Sequence, residues 1–458
     1  MSRFTQIEDG PSAMSAVAAA QEIARGAISA EDYTRACLDR IADTEDTLRA
    51  FVYLDREHAL AQARALDAKR ASGQPLGLLH GIPVGIKDIF DTADQPTECG
   101  SPLLKGRRPQ NDATVVAKLR AAGAVIIGKT VTTEFAFFNP GPTRNPHDPE
   151  RTPGGSSSGS AAAVAAGMVP LALGSQTNGS VIRPAAFCGV FGIKPTHGLV
   201  SRGGVLELSR VLDHVGVFGR TLEDAALLLS VIAGGDPADP DTRPIAVADY
   251  RAAALEQPPL PPRLGFVRTP MWDKAEPATR SAFEALAAQL GERVTEIELP
   301  QQFSGAWNAH RTIMAADMAH RFGALVDRGP DGASAVLRKL MDEGRKISAV
   351  DYFAAVDLAR RLRENLTELF ENCNAILTPA TIGVAPKGID STGNPVFCSL
   401  WTLTGLPAVT VPLLQGEDDM PLGVQLVGAP GDDARLLRTA AWLIRTVGAD
   451  KKKARAKR

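Results

Sequence analysis

Apolar residues along the chain recur either at helical spacing or in short unbroken runs, and the two patterns alternate. Helical spacing predicts mostly helical structure over 306–370 and helices over residues 15–25, 29–41, 58–69, 114–122, 161–167, 221–233, 277–290 and 433–446. Short apolar runs predict buried strands over residues 82–87, 124–128, 169–174, 264–268, 294–299, 375–378, 408–411 and 423–427. Such alternation is typical of an α/β fold built on a largely parallel sheet.

Local signals mark where several of these helices begin and end. Gly26 follows the first predicted helix and stands where a left-handed glycine commonly ends one. Ser29 with Asp32, and Thr221 with Asp224, form capping boxes in which aspartate replaces glutamate. These signals place the start of two helices near residues 30 and 222.

The predicted elements favour one large α/β domain over residues 1–458. We expect a central mixed, mainly parallel β-sheet covered by helices on both faces. The sequence divides into an N-terminal helical part, a core rich in glycine and serine, a mostly helical region, a C-terminal core part and a basic tail: residues 1–75, 76–235, 236–370, 371–450 and 451–458.

Composition excludes several classes of protein. Apolar residues make up 44% and charged residues 22% of the 458, which indicates a globular chain. The net charge is −2, although the last eight residues include six basic ones, so the rest of the chain is more acidic still. An acidic body with 5% aromatic residues argues against nucleic acid as a partner. We interpret the basic tail as a frayed, solvated end.

The cysteines and the hydropathy pattern indicate a compartment. Five widely separated cysteines without a C-x-x-C motif predict reduced thiols. The first residues lack the apolar stretch of a signal peptide, and no unbroken apolar run is long enough to span a membrane. We therefore expect a cytoplasmic protein with no membrane partner.

Two loops rich in glycine and serine carry the candidate chemistry, over residues 154–160 and 174–180. Small residues let backbone N–H groups converge on an anion. A nucleophile elbow, G-x-S-x-G, matches residues 155–159, but no strand precedes it as that motif requires. A phosphate-binding loop is rejected because Ser180 occupies the place of the required lysine.

A serine in these loops needs a base, because a neutral hydroxyl is a weak nucleophile. Neither loop contains histidine, whereas Lys87 ends a predicted buried strand just before Asp88. Burial lowers the pKa of a lysine and lets it accept a proton near neutral pH. The residues therefore suggest serine–lysine chemistry, and the alternative is a plain glycine–serine loop beside a lysine that reaches for solvent.

The segment GGSSSGSAAAVAAGMVPLALGSQTNGSVIRPAAFCGVFGIKPTHGLVS, residues 154–201, resembles the amidase signature family. HGIPVGIKD, which contains the lysine, and the later segments LTGLPAVTVP and PLGVQLVGAP look like that family too. The resemblance covers most of the chain and weakens between residues 235 and 370. It implies the amidase signature fold and the hydrolysis of carbon–nitrogen bonds without a metal or other cofactor.

The resemblance also implies roles for individual residues. In the family's Ser–cis-Ser–Lys triad, Ser180 matches the nucleophile, Ser156 the bridging serine after a cis peptide bond, and Lys87 the base. The oxyanion hole would consist of backbone N–H groups of Thr177, Asn178, Gly179 and Ser180.

The chain departs from the family's pattern at two positions beside the nucleophile. Asn178 replaces a glycine, and we expect the turn to survive because asparagine tolerates a positive φ. Gln176 replaces an aspartate. Neither change removes a residue of the triad.

Several residues are candidates for the pocket wall. The loop 135–142 looks shorter than in many relatives, which predicts a wider or differently shaped mouth. Arg183 could bind a substrate carboxylate, but we interpret it as a structural ion pair with an acid such as Asp213. The expected substrate contacts are Phe135, Phe138 and Ser157.

Our main functional hypothesis is a stand-alone hydrolase of small acyl or aryl amides, and of carbamates or esters by the same acyl chemistry, acting as a monomer or homodimer. We expect region 236–370 to help select the substrate. One alternative is the amidase subunit of a tRNA-dependent amidotransferase, whose usual Ser-Ile-Arg-Gln-Pro is here Ser-Val-Ile-Arg-Pro. Another is a catalytically inactive binding relative.

Overall fold

A computed structural model describes residues 5–7, 10–244 and 246–456, and within this range the chain forms an α/β fold with eleven strands in one sheet. The strands are β1 Phe51–Leu54, β2 Pro83–Lys87, β3 Val125–Thr130, β4 Leu171–Gln176, β5 Phe191–Lys194, β6 His214–Gly219, β7 Leu264–Arg268, β8 Val294–Glu298, β9 Ala375–Pro379, β10 Ala408–Gln415 and β11 Pro421–Val427.

Fourteen α-helices occur in the same range. They are α1 Ala16–Arg25, α2 Ala30–Leu48, α3 Arg56–Ala71, α4 Thr114–Ala121, α5 Ser158–Ala165, α6 Ile182–Cys188, α7 Leu222–Ile232, α8 Tyr250–Leu255, α9 Pro277–Leu290, α10 Ala306–Arg328, α11 Ala335–Gly344, α12 Ala349–Leu369, α13 Val396–Leu403 and α14 Asp433–Ala456.

The sheet is mixed, as predicted, in the order β1-β3-β2-β4-β6-β5-β10-β11-β9-β7-β8. The expectation that it is mainly parallel is wrong. Among the pairings that the structure describes, four are parallel, and the other six are antiparallel. The parallel pairs flank β2 and β7, where helices connect successive strands, and antiparallel pairs fill the centre of the sheet.

Burial explains why the strands appear in the sequence as apolar runs. Every residue of β2, β3, β4, β6, β9 and β11 is buried. Because successive side chains of a strand point to opposite faces, complete burial means that both faces are covered. The sequence patterns do not predict three of the strands. β1 is four residues long and half exposed, and β5 and β6 contain glycines that weaken a strand pattern.

The capping signals are confirmed by the structure. Gly26 ends α1 with φ 75°, Ser29 Oγ accepts the backbone N–H of Asp32, and Thr221 caps α7 in the same way. The second helix runs beyond its predicted end to Leu48, which is buried. α14 continues through Ala456, so only residues 457 and 458 of the predicted tail lie outside the described residues.

Three further features of the described residues bear on function. No helix among them is long and apolar enough to cross a membrane. Within the same range, no three His, Cys, Asp or Glu side chains are grouped as a metal site would require. The five cysteines are buried and free of disulfide bonds.

Candidate active site

Two neighbouring strands bring a lysine and a serine to the same edge of the sheet. β2 and β4 pair in parallel, with Val84 opposite Leu171, so their carboxyl ends meet. Lys87 is the last residue of β2, and its Nζ donates a hydrogen bond of 2.7 Å to Ser175 Oγ near the end of β4. No sequence pattern selects Ser175, because the contact depends on the register of two strands far apart in the chain.

A second serine reaches this lysine from the loop that leads into α5. Lys87 Nζ donates to Ser156 Oγ at 2.8 Å, and the peptide bond between Gly155 and Ser156 is cis, as expected. The next residue, Ser157, is fully buried and exchanges hydrogen bonds with the backbone of Ser175. Ser157 therefore ties the loop to β4, and it is not among the residues that line the cavity beside Ser180.

The Lys87 side chain is completely enclosed, with 0% of its surface exposed. Burial lowers the pKa of its ammonium group well below the ordinary value, and the negative charge of Asp213 counteracts only part of that effect. A lysine whose pKa is lowered in this way gives up its proton more readily than an exposed lysine does. The alternative in which this lysine extends to solvent is therefore wrong.

Ser180 lies in the tight connection between β4 and α6. The side chain of Gln176 closes this turn, because its Oε1 accepts the backbone N–H groups of Val181 at 2.8 Å and Ile182 at 3.0 Å. Gln176 Nε2 donates to Thr402 Oγ1 on α13 at 2.9 Å. The glutamine that replaces the family's usual aspartate thus supports the turn as an acceptor and also anchors it to a second helix.

Asn178, the other departure from the family, is held from the same helix. Its Oδ1 accepts a hydrogen bond from Ser399 Oγ at 2.7 Å, and its carbonyl oxygen accepts one from Thr402 Oγ1 at 2.5 Å. Asn178 is not among the residues with positive φ. The expectation that asparagine is tolerated here through a left-handed backbone is therefore wrong, since α13 fixes the residue by side-chain contacts instead.

The turn leaves backbone donors open. The described part of the chain offers no acceptor to the backbone N–H groups of Asn178, Gly179 or Ser180. These groups are three of the four donors in the predicted oxyanion hole, the fourth being the backbone N–H of Thr177, and they are free to bind an oxyanion. No hydrogen bond in the same range joins Ser180 to Ser156, so the structure contains the first link of the expected relay, Lys87 to Ser156, and not the second.

Thr177, at the start of the turn, is fixed by two distant residues. Its Oγ1 donates to Asp213 Oδ1 at 2.6 Å, and its carbonyl oxygen accepts a hydrogen bond of 2.8 Å from His310 Nε2 on α10. Burial raises the pKa of Asp213 to about 6 and lowers the pKa of His310 to about 4. The sequence does not single out His310, because no motif near it in the chain indicates a contact with the loop that contains Thr177.

A small cavity opens beside Ser180. Its wall is formed by Ala136, Phe137, Phe138, Thr177, Asn178, Ser180, Arg183, Leu208 and Met314. Phe138 thus lies where a substrate contact was predicted, but Phe135 does not. The Phe135 ring is buried against Phe322, with 4.9 Å between ring centroids. Its neighbour Phe137 lines the cavity together with Phe138.

The surroundings of Arg183 lack the acidic partner that we predicted. Its guanidinium makes no ion pair with any described residue, and Asp213 instead accepts hydrogen bonds from Thr177 and from the backbone of Leu208 and Ser209. The prediction of a structural ion pair between Arg183 and Asp213 is therefore wrong.

Comparison with known proteins places this geometry in a family. Residues 32–437 match the family model described as Amidase. The A subunit of the glutamyl-tRNA(Gln) amidotransferase from Acidothermus cellulolyticus is 39% identical over 471 residues, covering 93% of each chain.

Solved structures agree with the sequence comparison. One, described as a vestigial protein complex that reveals the evolutionary origins of an s-triazine catabolic enzyme, is similar with a TM-score of 0.88 and 32% identity over 95% of this chain and 99% of that one. The peptide amidase of Stenotrophomonas maltophilia is similar with a TM-score of 0.83 and 31% identity over 95% and 97%. The chain therefore belongs to the amidase signature family and is a hydrolase that acts on carbon–nitrogen bonds.

Proposed function

We propose that the chain cleaves the carbon–nitrogen bond of a small amide through an acyl-enzyme on Ser180, with Lys87 as the base and Ser156 as the bridging proton carrier. The observation that carries the proposal is the hydrogen bond of 2.8 Å between the buried Lys87 Nζ and Ser156 Oγ. The loop that holds Ser156 contacts the segment after Ser180, because the Gly155 carbonyl oxygen accepts a hydrogen bond from Arg183. A buried amine whose only described hydrogen-bond partners are serine hydroxyls is suited to accept a proton from them.

In the first half-reaction, neutral Lys87 takes the hydroxyl proton of Ser156, and Ser156 takes that of Ser180. The Ser180 oxygen then attacks the substrate carbonyl carbon. Backbone N–H groups of Asn178, Gly179 and Ser180 hold the negative charge that develops on the carbonyl oxygen. As the carbon–nitrogen bond breaks, the proton returns through Ser156 to the departing nitrogen, which leaves as ammonia or an amine.

In the second half-reaction, water replaces the departed amine. The same relay removes a proton from the water as its oxygen attacks the acyl carbon, and the proton then returns to Ser180 when the acid product leaves. We propose that the Ser156–Ser180 hydrogen bond, which the structure lacks, forms when substrate fills the cavity, because catalytic hydrogen bonds commonly tighten on binding.

The sequence relatives favour the amidotransferase alternative over a stand-alone amide hydrolase. The A subunit of the Acidothermus cellulolyticus enzyme aligns over 93% of both chains, at 39% identity. We therefore propose first that the chain is an amidase of the A-subunit type, which would release ammonia from glutamine for a partner to use. The relation to a solved peptide amidase at 31% identity keeps a stand-alone amide hydrolase as the second candidate.

The experiment that separates the two candidates compares the isolated chain with the chain plus the partner subunits of a glutamyl-tRNA amidotransferase. Ammonia release is measured from glutamine, from aliphatic and aryl amides and from aryl carbamates, and amidation of glutamyl-tRNA is measured in parallel. An amidotransferase component should support tRNA amidation only with its partners. A stand-alone hydrolase should turn over a small amide alone and fail to support tRNA amidation, and inactivity under every condition would contradict the proposal as a whole.

The contact between Lys87 and Ser175 gives a separate prediction. To accept the Ser156 proton, neutral Lys87 must turn its lone pair toward Ser156 Oγ, and the hydrogen bond that Nζ donates to Ser175 Oγ would keep the amine beside Ser156 while it does so. Ser175→Ala should therefore lower kcat about tenfold to a hundredfold with little change in KM, since misplacement of a catalytic group has costs of this order. Steady-state kinetics on an amide substrate measure both constants.

Ser160→Ala is the matched control for this prediction. It also removes a buried hydroxyl next to these strands, but that hydroxyl contacts Thr130 and the Leu173 carbonyl oxygen and not the lysine. If both variants lose the same share of kcat, the hydroxyl of Ser175 has no special role in orienting Lys87.

A further inference from the structure

Three consecutive peptide groups provide the open backbone donors beside the nucleophile. Their N–H groups belong to Asn178, Gly179 and Ser180, and none of the three has an acceptor within the described part of the chain. A peptide group is planar, and in its trans form the N–H and the C=O point in opposite directions. Whatever holds the carbonyl oxygen of one of these peptide groups therefore also sets the direction of its N–H.

The last of the three peptide groups is held by the backbone itself. The Gly179 carbonyl oxygen accepts the backbone N–H of Arg183 at 2.9 Å, at the start of α6. This is the bond to the residue four positions later that is characteristic of an α-helix. The helix thus fixes the peptide group whose N–H belongs to Ser180.

The other two peptide groups cannot be held in this way. The backbone N–H groups four positions after their carbonyl oxygens are those of Val181 and Ile182, and both donate to Gln176 Oε1. Because those donors are already used, the carbonyl oxygens of Thr177 and Asn178 depend on donors from other parts of the chain.

Two side chains from distant helices supply these donors. His310 Nε2 on α10 donates to the Thr177 carbonyl oxygen at 2.8 Å, and Thr402 Oγ1 on α13 donates to the Asn178 carbonyl oxygen at 2.5 Å. Both side chains are buried. Burial lowers the pKa of His310 to about 4, so its ring is neutral at pH 7. Since a carbonyl oxygen can only accept, the one ring proton must lie on Nε2.

We infer that His310 and Thr402 are positioning residues of the oxyanion hole, each holding the carbonyl end of a peptide group whose N–H binds the substrate oxyanion. The inference rests on the proposed function, because it takes Ser180 as the attacking group and Asn178 and Gly179 as oxyanion donors. A hydrogen bond at the carbonyl end also polarises the peptide group, which makes its N–H a stronger donor. Helix α10, from the part of the chain where the family resemblance is weakest, thus contributes to catalysis through the backbone of the turn.

The test measures two quantities, the rate at which a small alkyl fluorophosphonate labels Ser180, and kcat and KM for glutamine or benzamide. Labelling places developing negative charge on the phosphoryl oxygen, which the same donors bind, and it does not require the natural substrate. His310→Leu should lower both the labelling rate and kcat about tenfold to a hundredfold with little change in KM. This loss is smaller than that for deleting an oxyanion donor outright, because the N–H remains but is less well placed.

Conservative variants separate positioning from a merely structural role. His310→Gln retains a side-chain N–H that can donate to the Thr177 carbonyl oxygen, so it should recover most of the labelling rate and of kcat. Thr402→Val and Thr402→Ser form a second pair, in which valine lacks the hydroxyl and serine keeps it. The second pair decides the question if His310→Leu fails to fold.

His147→Leu and Thr404→Val are the matched controls, because each removes a side-chain hydrogen bond to a backbone carbonyl oxygen outside the turn. His147 Nε2 contacts the Cys188 carbonyl oxygen at 3.0 Å, and Thr404 Oγ1 donates to the Leu400 carbonyl oxygen at 2.8 Å. The labelling rate of Ser180 in both controls should stay close to the wild-type value.

The inference is overturned if His310→Leu and Thr402→Val are labelled at the wild-type rate. It is also overturned if Gln at position 310 loses as much as Leu, and Ser at position 402 as much as Val, since the restored donor would then have no effect. If the reagent does not label Ser180 in the wild-type protein, the proposed function fails instead, which keeps the two failures distinguishable.

Discussion

Replacing Lys87 by arginine should abolish amide hydrolysis almost as completely as replacing it by alanine. Arginine keeps a positive charge and cannot release its proton at any working pH, so it cannot act as a base. The loss in kcat should be about 10²-fold to 10⁴-fold, the usual contribution of a general base. It should be smaller on activated esters, because their leaving groups need no proton. Initial rates on an amide and an ester of the same acid measure the difference.

The pH dependence of the wild-type rate tests the same role. Only the neutral amine of Lys87 can accept a proton, so the rate should rise with pH through the pKa of this lysine and then level off. Burial places that pKa well below the ordinary value for lysine. Asp213→Asn removes the negative charge that raises it, so the rising limb should move to lower pH.

Lys129→Arg is the matched control, because Lys129 is another completely buried lysine on the neighbouring strand β3. It bonds to Thr97 and to backbone carbonyls rather than to Ser156 or Ser175. This variant should have a lower melting temperature, but the pH range over which its remaining activity rises should be the same as in the wild type. If Lys87→Arg keeps more than about a tenth of amide hydrolysis, a barrier change below about 1.4 kcal/mol, then Lys87 acts only as a fixed charge.

The sequence predicted the elements of the fold better than their arrangement. Strands such as Leu264–Arg268 and helices such as Pro277–Leu290 begin and end where their patterns place them, because burial imposes a clear period on the side chains. The direction of the strands could not be predicted in the same way. An apolar run looks alike in a parallel and an antiparallel pair when both faces are covered, so the predominance of antiparallel pairs was missed.

The candidate site shows the same difference between local features, which the sequence predicts, and spatial arrangement, which it does not. The motif singled out Lys87, Ser156 and Ser180 as candidates, because the resemblance attaches roles to residues within two short segments. Ser175 and His310 were missed, since their contacts depend on strand register and on a helix from a distant part of the chain. Arg183 was assigned a partner it does not have, because a sequence shows that a charge exists but not what surrounds it in the folded chain.

Ser180→Ala should lower kcat on amides by about 10⁴-fold or more, since it removes the only group in the proposed mechanism that forms a bond to the substrate. The change deletes one oxygen at the cavity wall and leaves the side-chain contacts of Gln176 and Asn178 that hold the turn, so the melting temperature should stay close to the wild-type value. Rates on a glutamine or aryl amide substrate, together with thermal unfolding, separate lost chemistry from lost structure.

Ser158→Ala is the control for this variant. Ser158 is the buried first residue of α5, its Oγ contacts the Val131 carbonyl oxygen at 3.3 Å, and nothing in the proposed mechanism uses it. It should keep most of the wild-type rate. A Ser180→Ala variant that retained as much activity as this control would show that another group attacks the substrate.

The central claim, that Ser180 is the nucleophile, is tested most directly by fluorophosphonate labelling followed by intact mass and peptide mapping. The wild-type protein should gain the mass of one adduct, located on the peptide that contains Ser180. Ser180→Ala should gain none, and Lys87→Ala should be labelled far more slowly at the same residue because its serine lacks a base. Labelling of Ser180→Ala to the same stoichiometry as the wild type, or an adduct that maps to another residue in the wild type, would contradict the account.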